Sequence, residues 1–139
     1  MKRLVPFLVL LLLTGCTSYE ARVERGRSLA GVQRYFVLTN ASDNHGLAEQ
    51  IAAALKARGC EAATGPSTML PDDTQAIASY QDHWAWDFGD HLVYLQVTVR
   101  DRLTGQVNAT ATFTAKVPTR KPPAEIVDEL IGQLLPRKS

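Results

Sequence analysis

The chain has 139 residues, which is enough for one domain with one hydrophobic core and leaves no room for a second. Its 15 basic residues nearly balance its 14 acidic ones, and a formal charge of +1 excludes the clustered basic surface that binding to nucleic acid requires. Two cysteines exclude a disulfide scaffold, and a hydrophobic fraction of 45% excludes disorder along the whole chain.

The first fifteen residues have the pattern of a secretory signal. Lys2 and Arg3 make the start positive, and the run from Leu4 to Leu13 is apolar apart from Pro6. This run has about half of the roughly 20 residues that a membrane-spanning helix needs. Residues 1–15 are therefore predicted to be a signal peptide and not a transmembrane anchor.

A cysteine follows this segment in a specific context. The sequence Leu13-Thr14-Gly15-Cys16 resembles the lipobox of bacterial lipoproteins, in which a large aliphatic and two small residues precede an obligatory cysteine. The resemblance implies that the Cys16 sulfur carries a diacylglyceryl group, that the signal is cut just before Cys16, and that the new N terminus is acylated. Thr17, in place of an aspartate, favours transfer to the inner leaflet of the outer membrane. The alternative is an ordinary cysteine after an ordinary signal.

A polar stretch separates this cysteine from the first strand-like segment. Residues 16–33 contain few apolar side chains, and their charged residues are Glu20, Arg22, Glu24, Arg25 and Arg27. The stretch is predicted to be a lipidated tether that lies in solvent, with contact between its arginines and lipid phosphates as the alternative. Residues 34–139 are predicted to form a single domain.

The domain opens with a β-α-β pattern. Strand formers make up residues 35–39, and a second short strand is predicted at residues 60–64. Between them, Gly59 can end a helix by taking a left-handed conformation. Apolar residues recur every four positions along this helix, as on one buried face: Leu47, Ile51 and Leu55.

Two alternating segments in the second half predict a hairpin with a definite register. Residues 93–99 and 107–115 each place apolar side chains at every second position. A three-residue loop at 103–105, with Gly105 left-handed, aligns both apolar stripes on one face, whereas a slip of one residue would mix them. The predicted pairs are Val99 with Ala109, Val97 with Ala111, and Leu95 with Phe113.

The strand before this hairpin contains both tryptophans, and its register decides where they lie. A two-residue turn at Gly89-Asp90 would place Trp84 and Trp86 in the core beneath the helices. A three-residue turn would place them on the open face of the sheet, as part of a partner-binding or dimerising surface. Burial is the favoured interpretation, since a large exposed aromatic patch is costly for a soluble domain. It pairs Trp86 with Val93, Trp84 with Leu95, and Asp82 with Val97.

Residues 122–135 predict the final helix. Pro122 and Pro123 suit a helix entrance, and Glu125 favours the positive N-terminal end of the helix dipole. Its apolar stripe consists of Ile126, Val127, Leu130, Ile131 and Leu134. The element order β-α-β-β-β-β-α predicts an α+β two-layer sandwich, with two helices on one face of a largely antiparallel sheet.

One stretch gathers side chains that could bind a metal, namely Asp82, His83, Asp87, Asp90 and His91. Neighbours such as Asp82 and His83 point to opposite faces of a strand, and no H-x-x-x-H or C-x-x-C spacing accompanies them. The sequence also shows no nucleophile elbow for a Ser-His-Asp set and no Gly-rich phosphate loop. We therefore expect no metal site, no cofactor and no catalytic residue.

Asp82 needs a partner, because the favoured register places its carboxylate on the apolar face. Arg120 or Lys121, just before the last helix, could supply one. Asp82, Arg120 and Lys121 are therefore predicted to form a structural polar network. The alternative is an acid that contacts a ligand.

Several motifs after Arg34 are similar to those of small uncharacterised outer-membrane lipoproteins of proteobacteria. They are the segment YQDHWAWD at residues 80–87 with its W-x-W-D core, Arg100-Asp101, Thr104-Gly105 and Arg120-Lys121. Pro122 departs from the pattern, since a serine that caps the last helix is expected there. The resemblance implies two helices on a sheet. Likeness at the level of the fold does not transfer a function, and the family has no established activity.

These features predict a lipid-anchored, periplasm-facing envelope protein that acts as a non-enzymatic binding or assembly module. Its partners would be the membrane, through the lipid, and an envelope protein or a second copy of the chain. The candidate partner-binding residues are Trp84, Trp86, Tyr94, Gln96, Thr98 and Thr112. The alternative is a metal-dependent or hydrolytic envelope enzyme that acts through Asp82, His83 and Asp87.

Overall fold

The computed structural model describes residues 17–86, 88–117 and 121–135. The strands are β1 (Thr17–Val23), β2 (Arg34–Leu38), β3 (Glu61–Gly65), β4 (Ala76–Trp86), β5 (Asp90–Asp101) and β6 (Val107–Ala115). The α-helices are α1 (Leu47–Lys56) and α2 (Pro123–Leu134), and Ser67–Met69 forms a short 3-10 helix. Among the helices of these ranges, none combines the length and apolarity that a bilayer crossing needs.

The strands form one sheet in the order β1-β6-β5-β4-β2-β3. Pairing is antiparallel from β1 through to β4, while β2 runs parallel to both β4 and β3. Helix α1 packs on β2 and β3, α2 packs on β1 and β6, and the helices contact each other. The predicted α+β sandwich, with both helices on one face of a largely antiparallel sheet, is confirmed.

The core lies between the sheet and the helices. Ile51 of α1 and Leu130 of α2 are fully buried, and so are Val37, Val97 and Phe113 on the facing side of the sheet. The apolar face predicted for α1 is buried along its length. Pro122 is the N-cap residue of α2 and supplies no side-chain cap, which agrees with the missing serine at that position.

The β5–β6 hairpin has the predicted register. Val99 lies opposite Ala109, Val97 opposite Ala111, and Leu95 opposite Phe113. Gly105 has a φ of 73° in the connecting loop, a left-handed conformation that glycine adopts without steric cost. Alternation along both strands defines these pairs. The loop differs from the predicted three residues, because a register shift between Val99 and Arg100 pairs Arg100 with Val107.

The segment predicted to be a tether begins with a strand instead. Strand β1 pairs antiparallel with β6 along its whole length and forms one edge of the sheet. Tyr19 turns to the helix side, where its ring centroid lies 5.1 Å from that of Phe113. The charged residues Glu20 and Arg22 are compatible with a strand, because they occupy alternate positions on the face opposite the helices. Only residues 24–33 connect β1 to β2.

The register predicted for β4 and β5 is wrong. The turn contains three residues, 87–89, and a β-bulge beside Trp84 adds one residue to β5. The longer turn and the bulge compensate each other, so Asp82 and Trp84 keep the predicted face while the pairing slides along the strand. The observed pairs are Trp86 with Asp90, Trp84 with Leu92, and Asp82 with Leu95.

Candidate partner-binding face

The face of the sheet opposite the helices carries polar side chains. Four of the predicted partner-binding residues, Tyr94, Gln96 and Thr98 of β5 and Thr112 of β6, lie there and are half-buried. We call this surface the open face. The paired positions on its other strands are Glu20 and Arg22 of β1, Thr110 and Thr114 of β6, and Ser79, Gln81 and His83 of β4.

The open face offers both hydrogen-bond donors and acceptors. The Gln96 Nε2 donates to Thr112 Oγ1 at 3.4 Å, and the rings of His83 and Tyr94 lie 5.2 Å apart. A groove of about 820 Å³ runs along β1 and reaches around its edge, because it is lined by Glu20, Arg22 and Gln96 and also by Tyr19 and by Gln133 of α2. Hydroxyl, amide, carboxylate and guanidinium groups in one groove suit a polar partner.

The contacts of Trp84 connect the β4–β5 hairpin to the loop before α1. Its Nε1 donates to Asp82 Oδ2 at 2.6 Å. The His45 ring stacks on the indole with a centroid distance of 3.6 Å and an angle of 12° between the ring planes. His45 Nε2 also lies 3.1 Å from Asp90 Oδ2. Trp84 therefore packs partly against the core and joins two separate segments.

Asp43 stabilises the loop before α1 through hydrogen bonds to β4 and to the backbone of the loop and helix. The Tyr80 hydroxyl donates to Asp43 Oδ2 at 2.6 Å, and the backbone N–H groups of His45 and Ala48 donate to its two carboxylate oxygens. Burial alone would raise the pKa of Asp43, but these hydrogen bonds together outweigh burial and lower it. Burial, with the neighbouring Asp43 carboxylate, raises the pKa of Tyr80 well above its ordinary value.

The partner of Asp82 differs from the predicted one. The donor to its carboxylate is the Trp84 indole, two residues along the same face of β4. Lys121 Nζ lies 3.3 Å from Glu129 Oε2 and 5.7 Å from the centroid of the Tyr19 ring, on the β1 side of the molecule. Arg120 lies outside the described residues, as do Asp87 and Cys16. A donor close in sequence on the same face reaches the carboxylate without ordering a distant loop.

The residues of the alternative catalytic set are divided between two faces. Asp82 lies opposite Leu95 on the helix side, and His83 lies opposite Tyr94 on the open face. Within residues 17–86, 88–117 and 121–135, no three His, Cys, Asp or Glu side chains are grouped as metal ligands would be.

The β4–β5 turn carries two aromatic side chains in solvent. Trp86 is 75% exposed and Phe88 is 97% exposed, and their ring centroids lie 6.3 Å apart. Phe88 has a φ of 54°, in the left-handed region that residues other than glycine rarely adopt. The favoured interpretation that both tryptophans are in the core is therefore wrong for Trp86, while Trp84 is partly buried.

Two features of this region, the contact of His45 with Trp84 and strand β1, were not predicted from the sequence. His45 showed no pattern that would indicate its contact with Trp84, because stacking between distant segments leaves no local periodicity. Strand β1, in contrast, could have been predicted from the sequence pattern. Tyr19, Ala21 and Val23 alternate with polar residues, and this period of two is typical of an edge strand with one buried face.

The fold defines a two-layer α+β protein, and comparisons with solved structures agree. No protein-family model matches the sequence, and no curated protein matches it. The chain is similar to a PelC dodecamer from Paraburkholderia phytofirmans, with a TM-score of 0.60 at 16% identity over 86% of this chain and 94% of that one. The L103M variant of that dodecamer gives 0.60 at 19% identity, over 85% and 96%.

A similarity at lower sequence identity supports the same fold. A PDZ domain protein from Parabacteroides distasonis matches with a TM-score of 0.51 at 9% identity, over 96% of this chain and 40% of that one. At these identities the similarities establish the shared fold and no shared activity.

Proposed function

We propose that the chain is a lipid-anchored module of the bacterial cell envelope that faces the periplasm and acts by binding or assembly, without catalysis. The observation that carries this proposal is the sequence Leu13-Thr14-Gly15-Cys16. Two or more acyl chains hold a protein stably at a bilayer, whereas one holds it marginally. Thr17 at the second mature position supports the inner leaflet of the outer membrane as the destination.

We place the partner contact on the open face. Both helices cover the other side of the sheet, so Gln96 and Thr98 remain accessible beside the groove along β1. The partner is a second copy of the chain or another envelope protein. Self-association is supported by the fold, which is shared with a protein crystallised as a dodecamer.

Metabolic labelling tests the anchor. Cells that express the wild-type chain with radioactive palmitate should incorporate label and release the signal peptide. Cys16→Ser should abolish both events, because the sulfur is the acceptor of the lipid. Cys60→Ser is the matched control, since it removes the other cysteine and should leave labelling unchanged. Label that persists in Cys16→Ser would contradict the anchor.

Photo-crosslinking in intact cells tests the binding surface. A photoreactive residue at Gln96 should give adducts that are identified by mass spectrometry as a second copy or as an envelope protein. The same residue at Ala53, exposed on the outer side of α1, is the control and should give none. Equal adduct formation at both positions, or none at either, would overturn the assignment.

Metal analysis of the purified mature protein tests the metal-dependent alternative. The wild-type chain should contain no stoichiometric transition metal. A metal at one equivalent that is lost in both Asp82→Ala and His83→Ala would replace the binding module with the enzymatic alternative.

A further inference from the structure

Three of the exposed apolar side chains lie at one end of the sheet, whereas Val23 and Leu103 lie at the other end. Trp86 and Phe88 lie at the β4–β5 turn, and Val117 follows the end of β6, which is the neighbour of β5. All three side chains are more than half exposed. Isolated apolar residues on a surface are ordinary, but two aromatic rings in solvent with centroids 6.3 Å apart are a feature that indicates an interaction.

The N terminus of the described chain lies at this same end. Thr17 pairs with Ala115, and the next residue back along β6, Thr114, pairs with Tyr94. Tyr94 is near the start of β5, a few residues from the exposed turn. Strand β1 is separated from β4 by three strand spacings, or about 14 Å. Cys16 directly precedes Thr17, so a lipid on Cys16 would lie close to the exposed aromatic rings.

The nearby charges favour the same orientation. Lys116 is exposed just after the end of β6, and the sequence of residues 116–121 has no acidic residue. Basic side chains next to a bilayer are attracted to anionic lipid headgroups.

We propose that the β4–β5 turn is a second membrane contact, in which Trp86 and Phe88 enter the headgroup region of the bilayer that holds the lipid anchor. This inference rests on the proposed anchor at Cys16. Tryptophan is favoured at this depth because its ring is apolar while its N–H can still hydrogen-bond. The contact fixes the angle between the domain and the membrane, which a lipid on a single residue does not.

Fluorescence quenching by lipid tests the contact. The full lipoprotein is reconstituted in vesicles of phosphatidylethanolamine and phosphatidylglycerol that contain phosphatidylcholine brominated on its acyl chains. The chain has two tryptophans, so Trp86→Gln leaves the emission of Trp84 alone. Wild-type emission should shift to the blue and be quenched severalfold more than emission of Trp86→Gln. Phe88→Ser should reduce the quenching of Trp86.

The matched control is at the opposite end of the sheet. Leu103 is 86% exposed in the β5–β6 loop, and Leu103→Ser should leave quenching unchanged. Equal quenching in the wild type and Trp86→Gln would overturn the contact. A blue shift without quenching would also overturn it, because Trp86 would then be covered by protein and not by lipid.

A second arm separates this inference from the anchor. The Cys16→Ser chain, with a hexahistidine tag in place of the signal peptide, is held on the same vesicles by a nickel-chelating lipid. Quenching of Trp86 in this arm supports the aromatic contact whether or not cells acylate Cys16. Loss of quenching here, with palmitate incorporation intact in cells, would reject the contact and retain the anchor.

Discussion

Asp43 shows how one carboxylate can organise a loop. It accepts hydrogen bonds from Tyr80, from the backbone of its own loop and from the start of α1. The backbone at Gly46 is left-handed and supplies no side-chain cap for α1, so Asp43 accepts from an N–H group that a helix end leaves without a partner. Its ionised form is therefore stabilised by the folded state.

We expect Tyr80→Phe to raise the pKa of Asp43, because a donor to the carboxylate is lost while burial remains. The stabilisation from a lowered carboxyl pKa is present above the ordinary value of 3.8 and is lost as pH falls through the lowered value. In the variant this stabilisation should be smaller and its loss should be complete at a higher pH, and neutral stability should fall by about 1 to 2 kcal/mol. Carboxyl NMR titration and urea unfolding measure both effects.

Tyr94→Phe is the control for this pair, since Tyr94 lies on the open face away from Asp43. It should leave the titration of Asp43 unchanged. An unaltered pKa of Asp43 in Tyr80→Phe would show that the Tyr80 hydroxyl does not hold the carboxylate.

Arg58 joins the two helices through a buried guanidinium. Its Nη1 donates to Asp128 Oδ1 at 2.8 Å and to Ala54 O at 2.9 Å, and its Nη2 donates to Asp128 O at 2.8 Å. A Cβ at Gly132 would lie 2.8 Å from Nη2, so a glycine makes room for the guanidinium. The Arg58 side chain is 4% exposed and the Asp128 side chain 42%.

We expect Asp128→Ala to destabilise the protein by about 1 to 2 kcal/mol, because the buried guanidinium loses a charged acceptor but keeps two carbonyl acceptors. Glu129→Ala, the adjacent residue, removes only the half-exposed pair with Lys121 and should cost less than about 1 kcal/mol. Urea unfolding compares the two. Equal losses would show that the Arg58 pair contributes no more than a surface pair.

At the level of elements, the N-terminal segment is an edge strand and not the predicted tether. Substitutions in a tether would not change the free energy of unfolding, whereas substitutions in an edge strand that packs on the core should lower it. We expect Tyr19→Ala to cost about 1 to 3 kcal/mol, since it removes the contact with Phe113. Ser18→Ala, on the open face of the same strand, should cost less than about 0.5 kcal/mol.

Hydrogen exchange gives an independent measurement on this strand. Amides of β1 that bond to β6 should be protected, with less protection than those of β5 in the middle of the sheet. Exchange at the rate of an unstructured peptide throughout residues 17–23 would support the tether.

The two hairpins show which parts of the fold can be predicted from sequence. The β5–β6 register was predicted correctly because apolar side chains at every second position make a slip of one residue costly. The β4–β5 register was not, because the three-residue turn and the bulge change the pairing without changing which face each residue occupies. The open-face residues followed from alternation alone, whereas the exposure of Trp86 depended on the turn.

At the scale of the whole molecule, the strand directions relate the proposed anchor to the proposed binding surface. Strands β1 and β5 start at the end where Trp86 and Phe88 are exposed, and β4 and β6 finish there. If that end contacts the membrane as proposed, the strands stand perpendicular to the bilayer. The open face and the outer edge of β1 would then lie parallel to the membrane normal, and the Leu103 loop would be the part of the domain furthest from the bilayer.

The proposed orientation depends on a short connection between a lipid on Cys16 and the sheet. We expect an insertion of about ten Gly and Ser residues between Cys16 and Thr17 to reduce lipid quenching of Trp86, because such a linker spans about 18 Å and lets the domain leave the surface. Palmitate incorporation and the urea midpoint should not change, since Cys16 and the core are intact. An insertion of only two residues is the control and should retain most of the quenching. If the long insertion leaves quenching at the wild-type level, the aromatic turn binds the bilayer without help from the anchor, and the short connection at Cys16 does not set the orientation.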